Sequence, residues 1–351
     1  MSGVADQWSS LWPALAFLLA GVPLAALLDR LGFFEAVVSA VAGRAGDTPV
    51  LAMWTVAALT TIVLNLDTTI VLLTPLYLRF AKRADVDVMP VVLIPLLLAS
   101  FASSVLPVSN LTNLIVVDRF QVGVGEFLTH LALPSLAASV AGWLVYRRLY
   151  PRRIASPPSA RPDRHALGVG GAIVVVLLAG FVFGPSLGIA PWMTALSADV
   201  VLVALTRVVP WRDVPLATAA AVALLGAIVA VLAPSGALHH LVGHDNPFAL
   251  AGIATGGAVA ANVVNNLPAL LAVVDGAHRM TWGIWAWLLG VNAAAVVLPI
   301  GALANLLWLR ILRAEGVPIA FRHYVRMTLP IALPAFAAAT IVLGVERIVA
   351  G

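Results

Sequence analysis

"NLDTTIVLLTPL", residues Asn65 to Leu76, sets an aspartate and two threonines in the middle of an apolar run. The surrounding chain is membrane-like. Its 351 residues are 62% hydrophobic and only 10% charged, and mean hydropathy is +1.02. An average soluble domain carries about 25% charged residues. Apolar runs of about 15 to 25 residues recur from end to end, whereas a secretory signal is one short run ahead of a polar chain. These features predict an all-α polytopic membrane protein with no cleaved leader. With no cysteine there is no disulfide, thiolate ligand or cysteine nucleophile. The net charge of +4 does not mark a nucleic-acid binder, because the basic residues sit in the loops between apolar runs.

Helical spans are predicted at 11–28, 88–106, 125–146, 167–186, 190–208, 214–233, 281–297 and 325–349. The stretches 48–80 and 246–275 are too long and too interrupted for single spans. Each carries a polar knot in its middle, "NLDTT" and "NVVNNLP". They read as re-entrant helical hairpins with the knot at the tip, where non-helical backbone can line a cavity. After each comes an interrupted span, "LPVSNLTN" (106–113) and "GVNAAAVVLPIGALAN" (290–305), expected to unwind at mid-membrane.

The order helix, hairpin, broken helix, helix thus occurs twice. Because a hairpin returns to its own face, the second copy starts on the opposite side, so the repeat is inverted. The expected fold has about eight spans plus two hairpins. Residues 1–150 form the first repeat, 151–166 a cytoplasmic linker, 167–208 two scaffold helices, and 209–351 the second repeat. In this topology Arg30, Arg44, Arg79, Lys82, Arg83, six linker arginines, Arg207, Arg212, Arg310, Arg313, Arg322 and Arg326 share one side. Only Arg119, Arg279 and Arg347 fall on the other, so 17 of the 20 basic residues lie together. The positive-inside rule makes that side cytoplasmic and both termini extracytoplasmic, in a bacterial plasma membrane.

Asp67 is the sharpest chemical signal, since a carboxylate near the bilayer centre costs about 2.5 to 3.5 kcal/mol on insertion scales. It is expected to face a cavity and carry a proton. A plainer reading places it at headgroup depth, capping the helix that begins with Thr68 and Thr69. Asn65, Thr68 and Thr69 lie beside it, and Asn262, Asn265 and Asn266 hold the matching place in the second copy. Ser109, Asn110, Thr112 and Asn113 mark the first break, and Asn292 and Asn305 flank the second around Pro299. Buried amides often serve only as interhelical glue. Clusters at four related places read better as the lining of a solute site, with donors and acceptors together.

His239, His240 and His244 have a spacing that suits a metal but sit in a loop-like segment. Asp199 and Arg207 are expected to pair for structural reasons. No P-loop, HExxH or GxSxG motif is present, so neither P-loop ATP hydrolysis nor any other enzymatic reaction, cofactor or resident metal is expected.

"SNLTNLIVVDRF" after "LP", "ANVVNNLPALLAV" and "GVNAAAVVLPIGALANLLWLRIL" followed by "HYVRMTLPIALPAFAAAT" resemble the arsenite permease (ArsB) family of the ion-transporter superfamily. "LDRLGFFEAVVSAVAGR" and "LDTTIVLLTPL" match its earlier landmarks in order, and the similarity runs from about residue 12 to 350. The resemblance implies a two-hairpin inverted repeat that extrudes arsenite or antimonite against protons. It places Asp67 at the family's acid in the first hairpin and Ser109, Asn110 and Asn113 in the first unwound segment. Asn265 and Asn266 fall in the second hairpin, and Asn292, Pro299 and Asn305 in the second unwound segment. A homodimer and a docked soluble ATPase subunit remain open. Departures are visible. Family members carry a further helix pair ahead of the segment that begins here at residue 11. Asn292 and Ala293 stand where the family has an acid and a glycine, and Leu-Asp-Thr-Thr replaces Asn-Asp-Gly. A sodium/proton antiporter, a small-anion or carboxylate carrier and a passive channel are the alternatives in transport. An intramembrane hydrolase lacks the second acid or nucleophile it needs.

Overall fold

The computed structural model describes residues 2–44, 49–150, 163–232, 239–243, 245–274 and 276–350. His244 and residues 151–162 of the expected linker lie outside them. Fifteen helices follow in chain order: α1 Ser2–Arg30, α2 Phe33–Arg44, α3 Pro49–Val63, α4 Leu66–Arg83, α5 Val88–Phe101, α6 Leu111–Phe120, α7 Val124–Leu149, α8 Arg164–Phe183, α9 Pro191–Thr206, α10 Leu216–Leu232, α11 Pro247–Val264, α12 Asn266–Val274, α13 Trp282–Ala293, α14 Leu303–Ala314 and α15 Phe321–Val349. No strand occurs among the described residues.

Among the described residues five helical stretches are long and apolar enough to cross a membrane: Trp12–Arg30 of α1, then α7, α8, α11 and α15. The other four predicted spans are shorter helices: α5, α9, α10 and α13 have 14, 16, 17 and 12 residues. α5 stops at Phe101 and α13 at Ala293, short of the predicted ends at 106 and 297, because each runs into a proline-centred turn, Pro107–Ser109 and Pro299–Gly301. Proline has no N–H to continue the ladder, and the residue before it is pushed into extended backbone. Leu106 and Leu298 are accordingly extended, at φ −118° and −114°. The separate helix α2 was not anticipated; Gly32, at φ 78°, ends α1 and turns the chain into it.

α5 and α13 lie at the centre, with every residue from Pro90 to Phe101 and from Gly283 to Ala293 buried. Around them α4 packs on α5 and α14, α12 on α13, α10 and α6, α1 on α9, α10 and α6, and α7 on α15. α11 and α13 approach backbone to backbone. A Cβ at Gly290 would stand 2.0 Å from the Ala254 carbonyl, and one at Gly257 2.7 Å from that of Trp287. Small residues at helix crossings are how membrane helices reach such contact. Outward faces stay apolar, as at Leu136, Val140 and Leu144 of α7 and Val175 and Val176 of α8, which suits lipid rather than water.

Candidate functional site

The turn between α3 and α4 consists of Leu64 and Asn65. Asn65 caps α4: its Oδ1 accepts from the Thr68 N–H at 2.8 Å, and its carbonyl accepts from the Thr69 hydroxyl at 2.9 Å. Thr61, in the last turn of α3, shares a 2.9 Å hydroxyl contact with Thr69. The reading of Asp67 as the cap therefore fails, because the cap position is two residues earlier and the helix is already formed at Leu66. Asp67 sits in the first turn of α4, partly buried, and no hydrogen bond or ion pair among the described residues reaches its carboxylate. The neighbouring Thr68 hydroxyl is buried without a partner among the described residues. A carboxylate in the first turn is favoured by the free N–H groups and the dipole there.

Asn265 makes the corresponding turn between α11 and α12. Its backbone, at φ 85° and ψ 151°, lies in a region that glycine favours, and two side-chain bonds hold it there. Oδ1 accepts from the Leu267 N–H at 3.2 Å and Nδ2 donates to the Ile300 carbonyl at 2.9 Å. Asn266 opens α12, buried, with no side-chain hydrogen bond among the described residues.

Unwinding a helix frees carbonyls that need donors away from water. At the first break Asn113 Nδ2 supplies them, donating to Ser103 O at 2.7 Å and Leu106 O at 3.1 Å, ten and seven residues back. At the second Asn305 repeats the motif at the same spacings, to Ala295 O at 2.8 Å and Leu298 O at 3.0 Å. Each break is also tied to a neighbouring helix. Ser109 Oγ accepts from the Leu106 N–H at 3.2 Å and donates to Ile62 O of α3 at 2.9 Å. In the second, Gly301 stands in the serine's place, and a Cβ there would lie 2.0 Å from Ala295 O. Asn262 of α11 does the work instead, accepting from the Leu298 N–H and donating to Ala294 O, both at 2.8 Å.

Asn292, near the end of α13, joins the two breaks. Its Oδ1 accepts from Asn110 Nδ2 at 2.9 Å and Thr112 Oγ1 at 2.7 Å, while its Nδ2 donates to Ser104 Oγ at 2.9 Å and Asn113 Oδ1 at 2.8 Å. All four capacities of the amide are filled, and the residue is 1% exposed.

The predicted site residues thus divide. Asn110, Asn113 and Asn292 converge in one knot, which also takes in Thr112 and the unpredicted Ser104. Ser109, Asn262, Asn265 and Asn305 tie the breaks and the α11–α12 turn, and Asn65 and Thr69 shape the α3–α4 turn. Asp67, Thr68 and Asn266 keep polar groups free of protein partners among the described residues. The only signal for Ser104 was its place in "SSVLP", directly after the central helix. Asp199 and Arg207 form no ion pair with each other; Asp199 Oδ1 is buried without a hydrogen-bond partner among the described residues. His239 and His240 lie ring to ring at 6.3 Å, and no metal-holding group of His and acidic side chains occurs among the described residues.

A family model described as Citrate transporter matches residues 7–301. An arsenical pump membrane protein of Yersinia enterocolitica is 30% identical over 96% of this chain and 88% of its own length. One of Escherichia coli K12 is 29% identical over 94% and 86%. An uncharacterized transporter of Mycobacterium tuberculosis is 26% identical over 90% and 81%. With polar helix interruptions inside an apolar bundle and these matches along nearly its whole length, the chain belongs to the citrate transporter family of membrane transporters, within which it is similar to the arsenical pump membrane proteins.

Proposed function

We propose that the protein is a secondary active transporter that extrudes arsenite or antimonite, driven by the proton gradient. The observation that carries the reading is the contrast at the α3–α4 turn. Asn65, Thr61 and Thr69 are engaged in holding the turn, whereas the Asp67 carboxylate, in the first turn of α4, and the Thr68 hydroxyl beside it have no partner among the described residues. Proton coupling requires a group that changes charge within the pathway, and a partnerless carboxylate suits it.

In this reading α3–α4 and α11–α12 are re-entrant hairpins, and residues 1–150 and 209–351 are inverted repeats. The recurrence of the Asn113 motif at Asn305 supports that pairing. α4, α6, α12 and α14 all begin at the turns and breaks, so the positive ends of their dipoles, and the first-turn N–H groups that Asn65, Asn110 and Asn265 do not already cap, can serve an oxygen-bearing solute. Arsenite at neutral pH is mostly an uncharged trihydroxide, which those N–H groups, Thr68, Asn266 and Asp67 can bind as donors and acceptors. Alternating access moves the hairpins around the solute, and Asp67 takes a proton from the outside as the solute leaves. The names of the arsenical-pump relatives support the choice of substrate.

The test is arsenite uptake into everted vesicles under an imposed pH gradient, with resistance measured in a sensitive host. Asp67→Asn should abolish gradient-driven uptake while leaving membrane expression intact; undiminished uptake overturns the coupling role. Absence of resistance from well-expressed wild type overturns the substrate. The family description favours a second reading, carboxylate transport, which citrate uptake or sodium dependence would reveal.

A further inference from the structure

Far from the breaks, where α15 ends and α7 begins, a cleft of about 520 Å³ opens between these two helices. Its walls are Leu133, Val345, Val349, Trp282 and His130, with Glu346 among them. Both Glu346 carboxylate oxygens are buried, yet neither has a hydrogen-bond partner among the described residues. A buried carboxylate without donors is costly, so the position calls for a ligand with N–H or O–H groups. His130 Nδ1 lies 2.8 Å from the Glu126 carbonyl, which puts the proton of the neutral ring on Nδ1 and leaves Nε2 as an acceptor. One cleft therefore offers three acceptors, which matches the three N–H donors of a primary ammonium.

The rest of the surroundings specify where that ammonium comes from. Both helices are membrane-crossing in length and character, and Leu133, Val345 and Val349 are 58%, 53% and 80% exposed at the mouth. The Arg347 guanidinium lies 5.7 Å from the Trp282 ring centroid, beside the cleft. A basic group next to an acidic one, above apolar walls at the end of two spans, complements a zwitterionic head on an acyl chain. We propose that this cleft binds a phospholipid with a primary-amine headgroup, its ammonium on Glu346 and His130, its phosphate toward Arg347 and its acyl chain along Leu133 and Val349. A trimethylated headgroup has the same charge but no N–H, and so leaves the carboxylate unsatisfied.

Native mass spectrometry of the purified full chain, offered equal amounts of phosphatidylethanolamine and phosphatidylcholine with matched acyl chains, tests this. Wild type should retain the ethanolamine lipid about tenfold better, the equivalent of about 1.4 kcal/mol. Glu346→Gln should bring the two lipids to near parity without lowering the melting temperature, and Glu315→Gln, at the exposed partner of Lys82, should change nothing. If Glu346→Gln fails to fold, Leu133→Trp, at the exposed mouth, should produce the same loss by obstructing the chain. Equal retention by wild type, or an undiminished preference in Glu346→Gln, overturns the proposal. Displacement of the lipid by millimolar ethylammonium would make the ligand a soluble amine and overturn the lipid assignment. A change of oligomeric state in Glu346→Gln would make the cleft a contact between copies and overturn it as well.

Discussion

Replacing Asn292 by alanine removes all four hydrogen bonds that join the two breaks, at 2.7 to 2.9 Å, in a position 1% exposed. Hydrogen bonds between membrane helices average about 0.6 kcal/mol each, so the direct loss is about 2.4 kcal/mol. The partners cannot all turn elsewhere. Asn113 Nδ2 remains committed to Ser103 O and Leu106 O, which holds its Oδ1 pointing at the vacated space. A buried polar group left without a partner costs about 1 to 3 kcal/mol, which raises the expected loss to roughly 3.5 to 5.5 kcal/mol. Reversible unfolding in mixed micelles, followed by tryptophan fluorescence, measures it. Asn292→Asp sharpens the test, because it preserves the acceptor toward Asn110 and Thr112 but sets an oxygen against Asn113 Oδ1. That variant should be closer to wild type in acidic buffer, where a protonated carboxyl can donate, and worse in alkaline buffer. An alanine variant within about 0.5 kcal/mol of wild type would refute the idea that this amide fixes the two breaks together.

Gly290→Val should abolish folded protein in the membrane, since even a Cβ would meet the Ala254 carbonyl at 2.0 Å and overpacking against backbone costs upwards of about 3 kcal/mol; fluorescence-detected size exclusion reports it. Asn65→Ala should lower stability by about 1 kcal/mol through loss of the α4 cap and, by loosening the turn beside Asp67, slow transport. Arg30→Ala should shift the unfolding midpoint by less than about 1 kcal/mol, although its bond to Asp213 is only 2.7 Å, because both side chains are partly exposed.

The helices were legible because bilayer thickness imposes run length, and α7 and α15 begin and end within a few residues of expectation. The interruptions were legible because asparagine, serine and proline have few reasons to gather in an apolar run. What each amide does there was not legible. Asn113 and Asn305 read as solute ligands, yet their donors go to carbonyls that unwinding itself releases, a demand that exists only once the backbone has bent. The role of Asn292 depended on Asn110, Thr112, Asn113 and Ser104, about 180 residues distant in the chain, arriving opposite it. α2 escaped notice because twelve residues with Glu35 near the start give neither a span-length run nor a clear amphipathic period.

The two breaks satisfy the same leucine N–H with atoms from opposite directions: Ser109 reaches out from the first break, whereas Asn262 reaches in toward the second. A residue-by-residue alignment of the two stretches would score serine against glycine and isoleucine against asparagine as unrelated changes. They form one compensated exchange. Under the proposed repeat, kinship between the halves is written in which backbone atoms are held, and transplanting Ser109 or Asn262 alone into the other half is expected to break a contact made at both breaks.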